Sequence, residues 1–310
     1  MEQRTLGRQG LSTSAIGYGS MGTAVGYGPR DDTESIAAIR TANELGVTHF
    51  DTAEMYGWGA GEQLLGRALA PIRDGVTIAT KFGFTPSFTP NSQLDHVREV
   101  IDNSLKNLGV DYIDVLYQHV DDPAVPVEDV VGVMQEYVQA GKVKYLGLSN
   151  TTPDNVRRAH AVHPITVLQT EYSVFERSAE AFFPVLEELG IGLVAYSPLA
   201  RGFLGGAVQP RSGYDANDFR QHIPWWAPGV YDENVAIVGR LTEFAESKGV
   251  TLAQLSIAWL LAQKHYIVPI PGSRNPQRAA QNIAAAELEL TPADLARIAE
   301  IAPTGGITGP

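Results

Sequence analysis

The sequence predicts a closed (β/α)8 barrel with an N-terminal β-hairpin capping its bottom. Three observations carry this reading. Eight short apolar runs alternate with segments of helical spacing, the pattern that a parallel sheet wrapped by helices requires. The 310 residues suit one barrel, and no linker or low-complexity tract divides them, so residues 1–310 read as a single domain. Ionisable side chains recur at the ends of successive runs, where a barrel gathers its chemistry. An open doubly wound sheet is the competing arrangement.

Taken in order, residues 5–13 carry Gly7 and Gly10 mid-segment and read as the hairpin. The apolar runs then fall at 14–19, 47–51, 76–81, 112–119, 143–149, 165–170, 191–197 and 266–270, rich in branched and aromatic residues as buried strands are. Val97, Ile101, Leu105 and Leu108 share one face of a helix near 92–107, and Leu252, Leu255 and Trp259 do so over 251–263 behind a Thr251 N-cap. Thr152-Pro153-Asp154 and Thr291-Pro292-Ala293-Asp294 place proline at the first helical position of two more helices. Residues 202–232, with Gly205-Gly206, Pro210, Pro224, Trp225, Trp226 and Pro228, form a long loop read as a substrate lid.

Residues 17–22 match G-x-G-x-x-G. The dinucleotide fingerprint needs a helix to open at once, whereas helical spacing here begins near Thr33, so the Rossmann reading is rejected. The match reads as a glycine-rich loop leaving a strand, able to let backbone approach a ligand.

Composition narrows function. There is no cysteine, which excludes disulfides, thiolate metal sites and cysteine nucleophiles. The net charge of −12 argues against nucleic acid as a partner. A mean hydropathy of −0.08 argues against a membrane protein, and the absence of an apolar segment near Met1 predicts a cytoplasmic one. The seven histidines (His49, His96, His119, His160, His163, His222, His265) show no i, i+4 pair flanking a glutamate, and no metal is expected.

Asp51 ends the second run, Lys81 the third and His119 the fourth, so three ionisable groups meet at one barrel mouth, with Tyr56 one loop turn beyond Asp51. Lys81 is expected to lower the Tyr56 pKa, and Asp51 to hold Lys81 charged. Tyr56 then serves as general acid to a carbonyl oxygen, and His119 orients that oxygen. The set supplies no nucleophile, so a hydride donor is required. A Schiff-base role for Lys81 is the other chemistry a barrel lysine permits.

Several ordered segments now bear on identity: GVTHFDTAEMYG at 46–57 with Gly61-Glu62, LKNLGVDYID at 105–114 with Gln118-His119, GKVKYLGLSN at 141–150, YSPLARG at 196–202 and IPGSR at 270–274. With them the chain resembles the aldo-keto reductases over essentially its whole length, in the bacterial and plant-type branch related to potassium-channel β subunits. The resemblance implies the barrel, NADPH or NADP+ as cofactor with NAD possible, and reduction of a small-molecule carbonyl by direct hydride transfer. It implies a catalytic tetrad of Asp51, Tyr56, Lys81 and His119. It implies that Ser149, Asn150 and Gln169 hold the nicotinamide carboxamide and that Tyr196 stacks on the ring. Ser197, Pro198, Leu199, Arg201, Gly202 and Leu204, with Gly22, are implied around the pyrophosphate. Pro271, Gly272, Ser273, Arg274, Gln277, Arg278, Gln281 and Asn282 are implied at the adenosine end, where the two arginines suit a 2′-phosphate. Many relatives carry lysine where Gly272 stands. Tyr27, Trp58, Phe84, Trp225 and Trp226, with Phe88 and Tyr231, are expected on loops at the mouth as the substrate surface. Asp121 and Asp122 leave a basic or polyhydroxylated substrate open, and an oligomer is possible. The alternative function within the family is an NADPH-binding assembly subunit of little turnover.

Overall fold

The computed structural model describes residues 1–25, 31–206, 208, 213 and 223–308. Strands β1 (Gln3–Leu6) and β2 (Leu11–Ser14) form the antiparallel hairpin, with Leu6 opposite Leu11. Eight parallel strands follow in spatial order identical to chain order: β3 (Tyr18–Gly19), β4 (His49–Asp51), β5 (Thr77–Phe82), β6 (Ile113–Gln118), β7 (Val143–Ser149), β8 (Ile165–Glu171), β9 (Gly192–Tyr196) and β10 (Ile267–Pro269). The sheet curls until the Gly17 N–H donates to the Pro269 carbonyl at 2.9 Å, joining the first strand's approach to the last strand. The first apolar run therefore divides: Ser14 belongs to the hairpin, and only Tyr18 and Gly19 pair with β4.

Helices fill the crossovers: α1 (Met21–Ala24), α2 (Asp32–Glu44), α3 (Ala60–Leu69), α4 (Leu94–Leu108), α5 (Val127–Gln139), α6 (Pro153–Val162), α7 (Phe183–Leu189), α8 (Tyr231–Ser247) and α9 (Leu252–Gln263), with α10 (Pro276–Ile283) and α11 (Pro292–Ile301) after the last strand. The α1 turn follows β3 directly, where the sequence pattern shows no helix before Thr33. In α4, Val97, Val100, Ile101, Ser104 and Leu108 face the sheet, and Gly109 at φ 66° ends the helix in the left-handed conformation that glycine adopts most easily. The expected caps form: Thr152 Oγ1 accepts from the Asn155 N–H, and Thr251 and Thr291 each close a reciprocal capping box with Gln254 and Asp294. Helix α9 is not one-faced as expected. It buries every residue from Leu252 to Leu260 except Gln254, wedged between α8 and the segment after α10.

The barrel interior is a packed plug of Ala79, Val115, Tyr117, Val167, Val194, Val268 and Ile270, closed from below by Leu6 and Leu11 of the hairpin. Gly192 lacks a side chain because its Cβ would lie 2.6 Å from Leu6 Cδ2. Arg4 ties the hairpin in place, donating to the carbonyls of Leu261, Lys264 and Ile267 at 2.9, 3.2 and 2.7 Å. Among the described residues no helix is long and apolar enough to cross a membrane, and no group of His, Asp and Glu side chains is arranged to hold a metal ion. With its bottom sealed by apolar side chains, the barrel presents its polar residues at the opposite, C-terminal ends of the strands.

Candidate active site

Asp51 is the last residue of β4 and Lys81 the penultimate residue of β5, both buried. Lys81 Nζ donates to Asp51 Oδ1 at 2.5 Å and to the Thr52 carbonyl at 2.7 Å. The pairing of the two strands runs on past β4, with Thr52 N–H on Ala79 O at 2.9 Å and Glu54 N–H on Lys81 O at 3.1 Å, so the whole segment 51–54 is fixed beside β5. Tyr56 sits one turn further on. The Gly61 N–H donates to the Tyr56 carbonyl at 2.9 Å, and a Cβ at Gly61 would lie 2.6 Å from that oxygen, which explains glycine there. The Tyr56 ring centroid is 5.1 Å from Lys81 Nζ and 6.1 Å from the His119 ring, which meets it edge-on. The His119 N–H extends the β5–β6 ladder to the Phe82 carbonyl at 2.8 Å. The four residues expected to share a mouth are therefore brought together.

Their electrostatics differ from expectation in one respect. Burial pushes the Tyr56 pKa up, and the Lys81 charge offsets this only in part, so the net shift is upward rather than the expected downward one. Burial works to lower Lys81, but the Asp51 carboxylate and the Tyr56 phenol outweigh it and hold the ammonium charged. Burial, then the neighbouring Lys81 charge, drives His119 well below its ordinary value, so the imidazole is neutral. Its Nδ1 is buried without a partner among the described residues. An unpaired acceptor is less costly than an unpaired N–H, which favours the tautomer with the proton on Nε2.

Around this group the expected cofactor residues divide. Ser149 and Gln169 are opposite one another at the ends of β7 and β8. Gln169 Nε2 donates to Asp51 Oδ2 at 2.7 Å, a partner its expected role did not include. Asn150, at φ 46°, donates to the His119 carbonyl at 2.9 Å and to Ser149 Oγ at 3.1 Å, and accepts from the Tyr196 hydroxyl at 2.9 Å. The Tyr196 ring is thus held by its tip. Ser197, Ala200, Arg201 and Gly202 all have positive φ (49°, 47°, 55° and 96°), a tightly wound turn. Pro198 is buried and Leu199 half-buried within it. Arg201 is clamped by Glu171 of β8 at 2.8 Å. The Leu204 side chain is in the core and its N–H donates to the Leu199 carbonyl at 3.1 Å.

Among the residues expected at the adenosine end, Ser273 accepts at its carbonyl from the Tyr18 hydroxyl at 2.6 Å, and Asn275 caps α10 by accepting from the Arg278 N–H at 3.0 Å. Gln277, Arg278 and Gln281 lie on the exposed face of α10, Ser273 and Arg274 are half-buried, Pro271 and Asn282 are buried, and Gly272 is exposed. A Cβ at Gly272 would collide with the Gly19 carbonyl, which accounts for the missing lysine. Gly22 lies half-buried in α1.

The substrate expectations are redrawn. Phe84 meets His119 edge-on at 5.1 Å. Trp58 is 43 % exposed and stands edge-on to Phe88 at 6.2 Å, and both have positive φ. Trp225 and Trp226 are instead 3 % and 1 % exposed, packed on Phe175, Phe203 and Tyr231. Their ring area is too large to leave in water, and the segment 223–232 carries it into the core rather than over the mouth. Tyr27 and most of 207–222 lie outside the described residues. The sequence reading missed Glu54, Glu171 and Tyr117, the last of which is stacked so closely over Gly147 that a Cβ there would collide with the ring. The acid between Asp51 and Tyr56, and the alternation of Gln169 with Glu171, were the available signals.

The model of the aldo/keto reductase family matches residues 15–303. A probable aldo-keto reductase 1 of Glycine max is 41% identical over 311 residues, covering 98% of this chain and 90% of its own. Among solved structures, the glycerol dehydrogenase AKR11B4 of Gluconobacter oxydans has a TM-score of 0.91 at 24% identity, covering 99% of this chain and 97% of its own. The aldo-keto reductase AKR11C1 of Bacillus halodurans, in its holo form, has a TM-score of 0.83 at 26% identity, with 97% and 96% covered.

Proposed function

The chain belongs to the aldo/keto reductase family, and on that premise we propose that it is an NADPH-dependent carbonyl reductase with Tyr56 as its general acid. The observation that carries the reading is the Lys81 ammonium, bound by Asp51 on one side and 5.1 Å from the Tyr56 ring on the other.

The donor set fits a nicotinamide cofactor. Ser149, Asn150 and Gln169 offer a hydroxyl and two amides, as a carboxamide needs, with the Gln169 side chain oriented by its Nε2 bond to Asp51. Tyr196, anchored by Asn150, offers a ring face beside them. Arg274 and Arg278 offer charge for a 2′-phosphate, and the absence of lysine at Gly272 leaves NAD use open. A bound reduced nicotinamide supplies a hydride to the carbonyl carbon.

The protein's own residues do the rest. His119, neutral and protonated on Nε2, donates to the carbonyl oxygen and fixes its direction. Tyr56 remains protonated across the neutral range because burial raises its pKa, and its hydroxyl gives the proton to the oxygen as negative charge develops. The phenolate left behind faces the Lys81 ammonium, which Asp51 keeps charged and in place. The solved relative of Gluconobacter oxydans is a glycerol dehydrogenase, whereas the exposed Trp58 with Phe84 favours substrates with an apolar or flat portion here.

The test is loss of NADPH absorbance over a panel of aldehydes, dicarbonyls and cyclic ketones, with Tyr56→Phe alongside. Turnover should fall by at least about 100-fold in the variant, with NADPH affinity retained. Turnover that survives in Tyr56→Phe removes the general-acid assignment. NADPH binding without turnover on any carbonyl removes the reductase reading.

A further inference from the structure

Glu54 is a buried carboxylate that the reaction as described does not use. It lies midway between Asp51 and Tyr56, and its side chain crosses from the end of β4 to the segment that leaves β5. There Glu54 Oε1 accepts from the N–H groups of Gly83 and Phe84, at 2.8 and 3.2 Å. Gly83 has φ 130°, a conformation that favours glycine, and its carbonyl accepts from the Asn91 N–H at 2.8 Å. Phe84 bridges Pro90, so the turn is the root of a short loop. From that root the Phe84 ring meets the His119 ring edge-on at 5.1 Å. The Glu54 N–H meanwhile holds the Lys81 carbonyl at 3.1 Å.

We propose that Glu54 is a positioning residue for His119: its carboxylate fixes the Gly83–Phe84 turn, and the Phe84 ring held by that turn fixes the imidazole. The inference rests on the carbonyl-reducing reading above. It extends that reading to a pH response. A carboxylate accepts two N–H groups more strongly than a neutral acid does, so the clamp is tight when Glu54 is ionised and slack when it is protonated. Burial pushes its pKa up to about 7, against the pull of the two backbone bonds. Glu62 of α3 acts on it in the same upward direction, and is itself bound by Thr80 and Asn107. Of the other groups beside this segment, Lys81 is paired with Asp51, Tyr56 stays protonated and His119 neutral, so none titrates near neutrality.

The experiment follows the Gly83 and Phe84 amide signals and the His119 ring signals of the full-length protein by NMR, between about pH 6 and about pH 8. Wild type is compared with Glu54→Gln, which keeps an acceptor oxygen without the charge, and Glu54→Asp, which keeps the charge but shortens the reach. In wild type all three residues should shift with one midpoint near 7, and in Glu54→Gln that titration should vanish. For the best carbonyl substrate, the wild-type to Glu54→Gln ratio of kcat/KM should rise from near unity at about pH 6 to about fivefold at about pH 8, with NADPH affinity equal. Glu54→Asp should stay as low as Glu54→Gln. Amides that do not titrate overturn the clamp. Amides that titrate while the His119 signals and the kcat/KM ratio stay flat overturn its link to His119. Absence of turnover on every carbonyl overturns the reductase reading instead, and the His119 signals then decide the clamp alone.

Discussion

Asp51 has two carboxylate oxygens, and both are taken: Oδ1 by Lys81 and Oδ2 by Gln169. The residue thus joins the side of the site proposed to donate the proton to the side proposed to hold the nicotinamide. Glu54, three residues later, is the costly member of the same segment. A carboxyl that burial holds near 7, against an ordinary 4.5, binds its proton more tightly in the folded chain than in the unfolded one. Its contribution to stability is therefore fully present below about pH 4.5 and is lost as pH rises through about 7. Glu54→Gln removes this titration while keeping an oxygen for Gly83 and Phe84. Urea unfolding should find the variant gaining on wild type as pH rises, by up to about 3 kcal/mol at about pH 8. Lower kcat/KM and higher stability at the same pH is the combination expected of a strained functional carboxylate. A variant that is less stable than wild type at that pH counts against the burial assigned to Glu54.

At the scale of elements, the hairpin is the clearest case of sequence becoming structure. Gly7 and Gly10 mark its turn, and its apolar pair Leu6 and Leu11 goes under the barrel interior. What holds it there is Arg4, whose guanidinium meets the carbonyls of Leu261, Lys264 and Ile267 at the junction of α9 and β10. Arg4→Ala should leave those buried acceptors short of a partner and lower stability by about 3 kcal/mol, read by urea unfolding, with Tyr56-dependent turnover per folded molecule unchanged. Loss of turnover without loss of stability would mean that the hairpin reaches the mouth. Such contacts separate what was legible from what was not. Strand runs were legible because branched residues cluster, and Asp51, Lys81 and His119 stood out because they end consecutive runs, with Tyr56 one loop turn beyond the first of them. β3 was legible only as the end of the run 14–19, because Ser14 pairs in the hairpin instead. Trp225 and Trp226 were misplaced because a proline-rich aromatic stretch looks alike whether its rings line a mouth or fill a core. The Gln169–Asp51 bond spans 118 positions, and no local pattern announces it.

The whole molecule closes along a seam almost without side chains. Gly17 donates its N–H to Pro269, and a Cβ on it would lie 2.8 Å from Ile270 Cγ2 and 2.9 Å from His49 Cδ2. A Cβ on Gly19 would lie 2.8 Å from the Ile270 carbonyl, and one on Gly272 would collide with the Gly19 carbonyl in turn. At Gly19 and Gly272 the obstacle is a backbone carbonyl, so no flexible side chain can give way there. The same seam leads straight into the segment proposed to hold the adenosine end, where Tyr18 holds the Ser273 carbonyl. Substituting Gly272 therefore sets two effects against each other. A lysine would add charge suited to a 2′-phosphate, and its Cβ would pry β3 from the segment after β10. Both Gly272→Ala and Gly272→Lys introduce the same Cβ against the Gly19 carbonyl. The two variants should lose the same few degrees of Tm, the size expected for overpacking by about 1–3 kcal/mol. Their difference in NADPH affinity then isolates the charge, and their shared difference from wild type isolates the seam. Should Gly272→Lys keep the wild-type Tm while Gly272→Ala loses it, the phosphate charge rather than the backbone contact is what sets this position.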